Sequence, residues 1–257
     1  MLKSWEINEK ECFLYLINNY GNKFILEGSH NSNISDIKVI NKNYYIEAKS
    51  IKSQCGQFVV LEENNKFIYS NKNKTSINEY SNYIINYMNN NFHLFTNVTS
   101  KPIDIMLDNN IFYSLVKNFY KLKNVKYFIT KVNSNNYIII PLDNIDNYFN
   151  ISAYYRVKKS GSSNITKNNF DEIKSLLNNI DFTFIEKNEK IFIKTKSHIN
   201  EKLKGHIYTY QFKLIDKYLY EIRRLSNTNN PNVIFSIELI KKEQDENDLN
   251  LFLEDIK

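Results

Sequence analysis

Asp36 stands ahead of the tripeptide Glu47-Ala48-Lys49, and the stretch that joins them, SDIKVINKNYYIEAKS, is written like a β-hairpin. Ile37, Val39 and Ile40 make one short β-prone run and Tyr44, Tyr45, Ile46 and Ala48 a second, with Asn41-Lys42-Asn43 between them as a turn. In an antiparallel hairpin the start of one strand lies beside the end of its partner, so the carboxylates of Asp36 and Glu47 come close together. Glu47 and Lys49 are two residues apart on one strand and share a face. Clustered carboxylates repel unless a cation lies between them. A hard divalent ion such as Mg²⁺ takes oxygen ligands of this kind, keeps several waters and makes them more acidic. A lysine at the same place can orient that water, help to deprotonate it, or neutralise charge developing around phosphorus. These residue types suit metal-assisted hydrolysis of a phosphodiester. Their spacing alone suits an ordinary surface hairpin as well, and the residues that follow carry the distinction.

The elements that must hold these groups follow from periodicity. Cys12, Phe13, Leu14, Leu16 and Ile17 predict a one-face-buried helix over Glu6 to Asn19, which carries Glu9, a further acid upstream of the hairpin. The hairpin runs from about Ser32 to Lys49. Gln54 to Leu61 reads as the start of a helix, with Gly56 near its beginning. Phe67 to Asn78 reads as a Lys- and Asn-rich loop holding Lys72 and Lys74. Helices are predicted over Glu79 to Asn90 and Asp108 to Leu122, and paired strands over Val125 to Thr130 and Asn136 to Pro141. A strand at Tyr154 to Val157 runs into the basic, hydroxyl-rich loop Lys158-Lys159-Ser160-Gly161-Ser162-Ser163, which suits contact with a nucleic-acid backbone or groove, or a solvated turn. A helix over Asn169 to Leu177 precedes strands at Phe182 to Glu186, Lys190 to Lys196, His206 to Asp216 and Tyr218 to Leu225. The strand NVIFSI (Asn232 to Ile237) and a terminal helix within Glu243 to Lys257 close the chain. With five Gly and three Pro, turns fall to Asn, Asp and Ser.

Composition removes several function classes. The 257 residues suffice for one large domain or two to three small ones. Mean hydropathy is −0.50 and apolar runs such as Tyr137 to Ile140 are far too short to span a bilayer. The beginning, MLKSWEINEKE, carries no signal-peptide pattern, and the two cysteines, Cys12 and Cys55, make neither a disulfide scaffold nor a zinc site; they read as small buried thiols, and an intracellular, cytoplasmic setting is expected. His30, His93, His198 and His206 show no HExxH spacing, no GxxxxGK[ST] phosphate loop occurs, and no nucleophilic serine elbow is present. The net charge of +6 permits a polyanionic partner. The only arginines are Arg156, Arg223 and Arg224; the rest of the basic charge is lysine, a good phosphate binder but not the usual bidentate reader of guanine.

The run YIEAK, Tyr45 to Lys49, followed by SQCGQFV, Ser53 to Val59, resembles the catalytic segment of the HhaI-type restriction endonucleases of the PD-(D/E)xK nuclease superfamily. NNYGNKF (Asn18 to Phe24), YSNKNKTSIN (Tyr69 to Asn78), NVKYFIT (Asn124 to Thr130), YFNISAYYRVKKSGS (Tyr148 to Ser162) and NVIFSI resemble the same family in the same order, with the weakest stretch from about Thr166 to Leu225. The resemblance implies an α/β (α+β) fold: a restriction-endonuclease-like core with a mixed central sheet flanked by helices, plus recognition and accessory α+β subdomains. The expected division is a catalytic domain over 1–100, a DNA-recognition domain over 101–165 and 226–257, and an accessory DNA-binding subdomain over 166–225. Asp36, Glu47 and the Ala48 carbonyl are then expected to hold Mg²⁺, with Mn²⁺ as a substitute, and Glu9 matches an acid of the family. Lys49 would position or activate water, helped by Gln57 or, failing it, Gln54. Expected DNA contacts are Lys52, Gln54, Lys72, Lys74, Arg156, Lys158, Lys159, Ser160, Ser162 and Ser163. The implied substrate is double-stranded DNA at a short symmetric site such as GCGC. It would be cut one strand at a time by a monomer, beside a modification methyltransferase that acts on the same site without a stable complex.

The chain departs from the family pattern in three places: a hairpin one residue shorter, Ser50-Ile51 in place of a Met-Pro type dipeptide, and Ser163 where the family carries an arginine. The first two fall on a turn and a strand exit. The third falls on the expected recognition loop and bears on which bases are read. Two other classes suit the same residues: a DNA-binding protein descended from a nuclease without catalysis, and a repair or structure-specific nuclease of the same superfamily.

Overall fold

The computed structural model describes residues 3–27, 35–71, 73, 79–96, 101–159, 161–226 and 229–257, with the backbone alone at 158 and 159. The chain forms two units, residues 1–156 with 231–257, and residues 157–230.

The first unit begins with α1 (Ser4–Tyr20), β1 (Phe24–Leu26), β2 (Ile37–Val39), β3 (Tyr45–Lys49), β4 (Lys52–Glu63) and β5 (Lys66–Tyr69). It continues with α2 (Glu79–Asn90), α3 (Phe92–Phe95), β6 (Ile103–Asp104), α4 (Asn109–Lys121), β7 (Val125–Lys131), β8 (Tyr137–Pro141), α5 (Ile145–Tyr148) and β9 (Phe149–Lys159). The second holds β10 (Ser162–Asn164), α6 (Phe170–Leu176), β11 (Phe182–Lys187), β12 (Lys190–Thr195), β13 (Lys202–Lys204), β14 (Thr209–Asp216) and β15 (Leu219–Leu225); β16 (Asn229–Leu239) and α7 (Glu246–Asp255) finish the chain.

In the first unit the sheet that matters for chemistry has the order β1-β2-β3-β7-β8. Its pairs are antiparallel except β3 with β7, which run parallel, so the sheet is mixed. A parallel pair needs a long crossover, and the chain between β3 and β7, ending in α4, supplies it. One face carries Ile37, Val39, Ile46, Ala48, Tyr127, Ile129 and Ile139, packed on Cys12 and Leu16 of α1 and Phe252 of α7, with Ile256 just after it. The Phe252 ring lies edge-on to Tyr20 at 5.3 Å and to Tyr127 at 5.2 Å. Phe252→Ala removes this fully buried ring and is expected to cost about 3–5 kcal/mol, read as a lowered midpoint in urea unfolding followed by circular dichroism. A second sheet has the order β5-β4-β16-β9-β6.

Side-chain amides close strand edges by mimicking a peptide. Asn89 accepts from Phe67 N at 2.6 Å and donates to Phe67 O at 3.0 Å, and Gln244 does the same at Ile139, at 2.7 and 3.0 Å. Covering an edge in this way removes a template for pairing with another chain. Asparagine also makes the turns: Asn41, Asn64, Asn65, Asn124 and Asn188 all hold positive φ, a conformation it tolerates better than other side chains.

The predicted helix over Gln54 to Leu61 is instead part of β4. Phe58 and Val60 are buried while Gln57 is exposed and Val59 and Leu61 are half-buried, which is the two-residue period of a strand. Pairing with β16 slips beside Cys55, where Phe235 faces Gly56 and Ser236 faces Gln54. The predicted loop after Phe67 likewise begins as β5. The remaining predicted helices and strands are present within a few residues of their expected ends. Cys12 and Cys55 are buried, unpaired thiols, and burial pushes both up to about 12.

The second unit is a sheet of order β11-β12-β15-β14-β13 with β10 on β15, over a core of Ile165, Ile173, Leu177, Ile193, Tyr210, Phe212 and Ile222. Glu172 ties α6 to the turn before β14, accepting from Ile207 N at 2.7 Å. A Cβ at Gly205 would stand 2.3 Å from Glu172 Oε1 and 3.0 Å from the Tyr208 carbonyl oxygen, so glycine lets this carboxylate and the turn approach without displacement of the Glu172 side chain. No helix among the described residues is long and apolar enough to cross a membrane.

Candidate active site

The β2–β3 hairpin builds the site. Asn41, at φ 62°, turns the chain, and the register Ile37 with Ile46 and Lys38 with Tyr45 carries Asp36 back beside Glu47. Asp36 Oδ2 accepts the Ala48 N–H at 2.9 Å, which fixes the carboxylate against β3. Lys49 Nζ donates to Glu47 Oε1 at 2.7 Å, and both side chains are 11% exposed. Glu9 reaches the same place from α1, within hydrogen-bonding reach of Asp36. The structure therefore brings Asp36, Glu47 and Lys49 together, as the hairpin spacing predicts, and places Glu9 and Ala48, which only the family resemblance implies, beside them.

The electrostatics are those of crowded acids. Burial, then Glu47 and Glu9, hold the Asp36 carboxyl well above the usual carboxylate range, against Lys49 and the Ala48 N–H. Burial and then Glu47 also raise Glu9. Burial works against the Lys49 charge, and Glu47, Tyr120 and Asp36 outweigh it, so the ammonium is held more firmly than an ordinary lysine. A nearly buried ion pair costs desolvation and is weak support for stability, which points to a reason other than stability for having it.

Among the described residues no cluster of three or more His, Cys, Asp or Glu side chains is arranged as a metal site. The donors available are the Asp36 and Glu47 carboxylates and the Ala48 carbonyl. This set is all oxygen, which fits a hard divalent ion. After burial, the carboxylates of Glu47 and Glu9 add to what raises Asp36, and repulsion of that kind is what a cation relieves.

Two groups that the sequence reading missed close the site from α4 and the turn after it. Tyr120, 2% exposed, places its ring centre 5.2 Å from Lys49 Nζ. Lys123 lies 4.5 Å over the Phe119 ring, in the electrostatic neighbourhood of Glu47 and Lys49. Tyr120 falls on the buried stripe of α4 with Phe112, Leu115 and Val116, so the sequence shows it as core and nothing marks it as facing a lysine.

Other expected site residues lie elsewhere. Gln57 is an exposed β4 residue rather than part of a helix. Gln54 donates to the Tyr154 hydroxyl at 3.2 Å, and Lys52 pairs with Glu238 at 2.7 Å. Lys52 and Gln54, with Ser53, Asn150, Ser152 and Ser236, line a groove of about 340 Å³. Arg156 is exposed on β9. Ser162 and Ser163 lie on β10 in the second unit, where Arg223 donates to Ser162 O at 2.9 Å and Arg224 Nε to Ser163 Oγ at 3.2 Å. The Arg224 guanidinium lies 4.4 Å over the Tyr208 ring. Lys72, Lys74 and Ser160 lie outside the described residues, as do the side chains of Lys158 and Lys159.

No protein-family model matches the chain, and no curated protein matches it. Among solved structures, the chain is similar to HhaI endonuclease in complex with DNA, at 35% sequence identity and a TM-score of 0.84, over 99% of both chains. Identity at that level over the full length of both proteins, on a shared mixed α+β fold, establishes kinship: the chain belongs to the HhaI-type restriction endonuclease family.

Proposed function

We propose that the chain is a Mg²⁺-dependent type II restriction endonuclease that hydrolyses both strands of duplex DNA at a short symmetric site. The observation that carries this reading is the convergence of Asp36, Glu47, Ala48 and Lys49 at one end of the β2–β3 hairpin. The likeness to a protein solved on DNA supports duplex DNA as the substrate. The net charge of +6 suits that polyanion.

Asp36, Glu47 and the Ala48 carbonyl would hold Mg²⁺, with Mn²⁺ as a substitute; when bound, the ion supplies charge for a phosphate oxygen and acidity for a water. Lys49, presented as an ammonium donor on the Glu47 face, positions the water and stabilises charge gathering on the phosphate. Glu9 orients Asp36. Gln57 contributes to holding the water or the scissile phosphate. Lys52, Gln54, Lys72, Lys74, Arg156, Lys158, Lys159, Ser160, Ser162 and Ser163 are the proposed DNA contacts. The family resemblance implies the site GCGC, action as a monomer, and a separate methyltransferase that modifies the same sequence. Ser163 is the position at which the recognised bases depart first if they depart.

The test is digestion of unmethylated plasmid DNA with sequencing of the fragment ends. With Mg²⁺, discrete fragments sharing one short palindrome at their ends are expected, and excess EDTA abolishes them. Intact DNA that is still retarded in a gel shift would sink the catalytic reading and leave a DNA-binding protein. Ends that map to branched or flapped DNA would move the activity to structure-specific cleavage.

A further inference from the structure

Resting on the reading of Lys49 given above, the structure assigns a role to a neighbouring hydroxyl. In the parallel pair β3–β7, Glu47 is registered with Phe128 and Lys49 with Thr130. Ile46, Ala48, Tyr127 and Ile129 point to the core made with α1 and α7, so by alternation Glu47, Lys49, Phe128 and Thr130 share the opposite face. Thr130 is 0% exposed, and its Oγ1 has no hydrogen-bond partner among the described residues. A buried hydroxyl without a partner is uncommon and calls for a reason. Packing gives none, because valine has the same shape and leaves no unmatched polar atom.

What shares that face with Thr130, one strand away in register, is the Lys49 side chain, whose ammonium has donors to spare. Lys49 carries three N–H donors, and Glu47 Oε1 takes one at 2.7 Å. Tyr120 bounds the ammonium on another side, with its ring centre 5.2 Å from Nζ and its hydroxyl in interaction with it. The Tyr120 ring packs edge-on against Phe128 at 4.9 Å. Thr130 Oγ1 is the acceptor left over on the strand next to Lys49.

We infer that Thr130 is a positioning residue: its hydroxyl accepts from the Lys49 ammonium when that side chain turns from Glu47 toward the water and phosphate of the DNA. The hydroxyl is kept unmatched in the resting protein because its partner arrives during the reaction. Stability spent at a functional position in this way is a known pattern in enzymes.

Thr130→Val tests this, since it deletes the hydroxyl and keeps the shape. The expected result is an unchanged or raised thermal midpoint and a DNA dissociation constant within about twofold of wild type, measured without divalent ion, with a single-turnover cleavage rate lowered about tenfold. Thr130→Ser, which restores the hydroxyl, is expected to recover the rate to within about threefold. Wild-type cleavage by Thr130→Val overturns the inference, as does a lowered midpoint, which contradicts the unmatched hydroxyl, or a serine variant as slow as the valine one. Lys49→Ala, run in parallel, separates the levels. Wild-type cutting by Lys49→Ala removes the reading of Lys49 itself, whereas an inactive Lys49→Ala beside an unimpaired Thr130→Val removes only the role of Thr130.

Discussion

Lys49→Ala is expected to hold DNA and fail to cut it, with the single-turnover rate lowered at least about a thousandfold, the upper range for removing one preorganised charge-stabilising donor. Lys49 is 9% exposed and ion-paired to Glu47, so it is not a general phosphate binder of the surface. Binding affinity and its dependence on salt should therefore stay close to wild type in a filter or gel-shift titration, because counterion release is set by the exposed basic groups. The same substitution leaves Glu47 facing Asp36 and Glu9 without the ammonium that pairs with it. Breaking a buried pair from one side costs about 3–5 kcal/mol, so a clear drop in thermal midpoint is expected. Cleavage at the wild-type rate would end the assignment of this hairpin as the catalytic centre. Loss of DNA binding together with loss of cutting, in a variant that still unfolds cooperatively, would mean that Lys49 contacts the DNA in its ground state.

How much of this was legible in the residues depends on the range of the interaction that fixes each of them. The hairpin was legible because its turn, its two β-prone runs and its acids all lie within one short stretch, and the Asp36–Ala48 contact follows from that local geometry. Helix α4 was legible because Phe112, Leu115, Val116 and Tyr120 repeat at helical spacing. The segment after Lys49 was misread because a short apolar run such as Phe58 to Leu61 fits a helix or a strand equally by pattern. What settles it is pairing with Asn232 to Glu238 of β16, far away in sequence. The same is true of Tyr120 and Thr130. Each reads as an ordinary core residue, and each gains meaning only when the parallel pairing of β3 with β7 and the packing of α4 bring it to Lys49. Lys52 shows the converse: a promising basic residue in the sequence is committed to Glu238 in the structure.

Asp36→Asn should separate stability from activity in the opposite sense to Lys49→Ala. Asparagine keeps an oxygen where Asp36 accepts the Ala48 N–H, so the hairpin retains that contact. It removes one negative charge from a group in which burial and the carboxylates of Glu47 and Glu9 already disfavour ionised Asp36. The new amide N–H₂ can donate to the carboxylate of Glu9, which already lies within hydrogen-bonding reach of this side chain. Relief of like-charge crowding at one partly buried position is expected to stabilise the fold by about 1–2 kcal/mol, within the range of single stabilising substitutions, and to show as a raised midpoint in thermal unfolding without divalent ion. Cleavage is expected to fall at least about a hundredfold, since losing a partner one shell further out already costs ten- to a hundredfold at metal sites. Mg²⁺ is expected to raise the midpoint of wild type more than that of the variant, because ligand binding stabilises only a protein that binds it. An unchanged or lowered midpoint with unimpaired cutting would return Asp36 to the status of a surface acid. Glu9 of α1 and the hairpin's Asp36 and Glu47 crowd around one buried lysine, and Asp36→Asn asks directly whether the protein keeps that repulsion for the sake of a reaction.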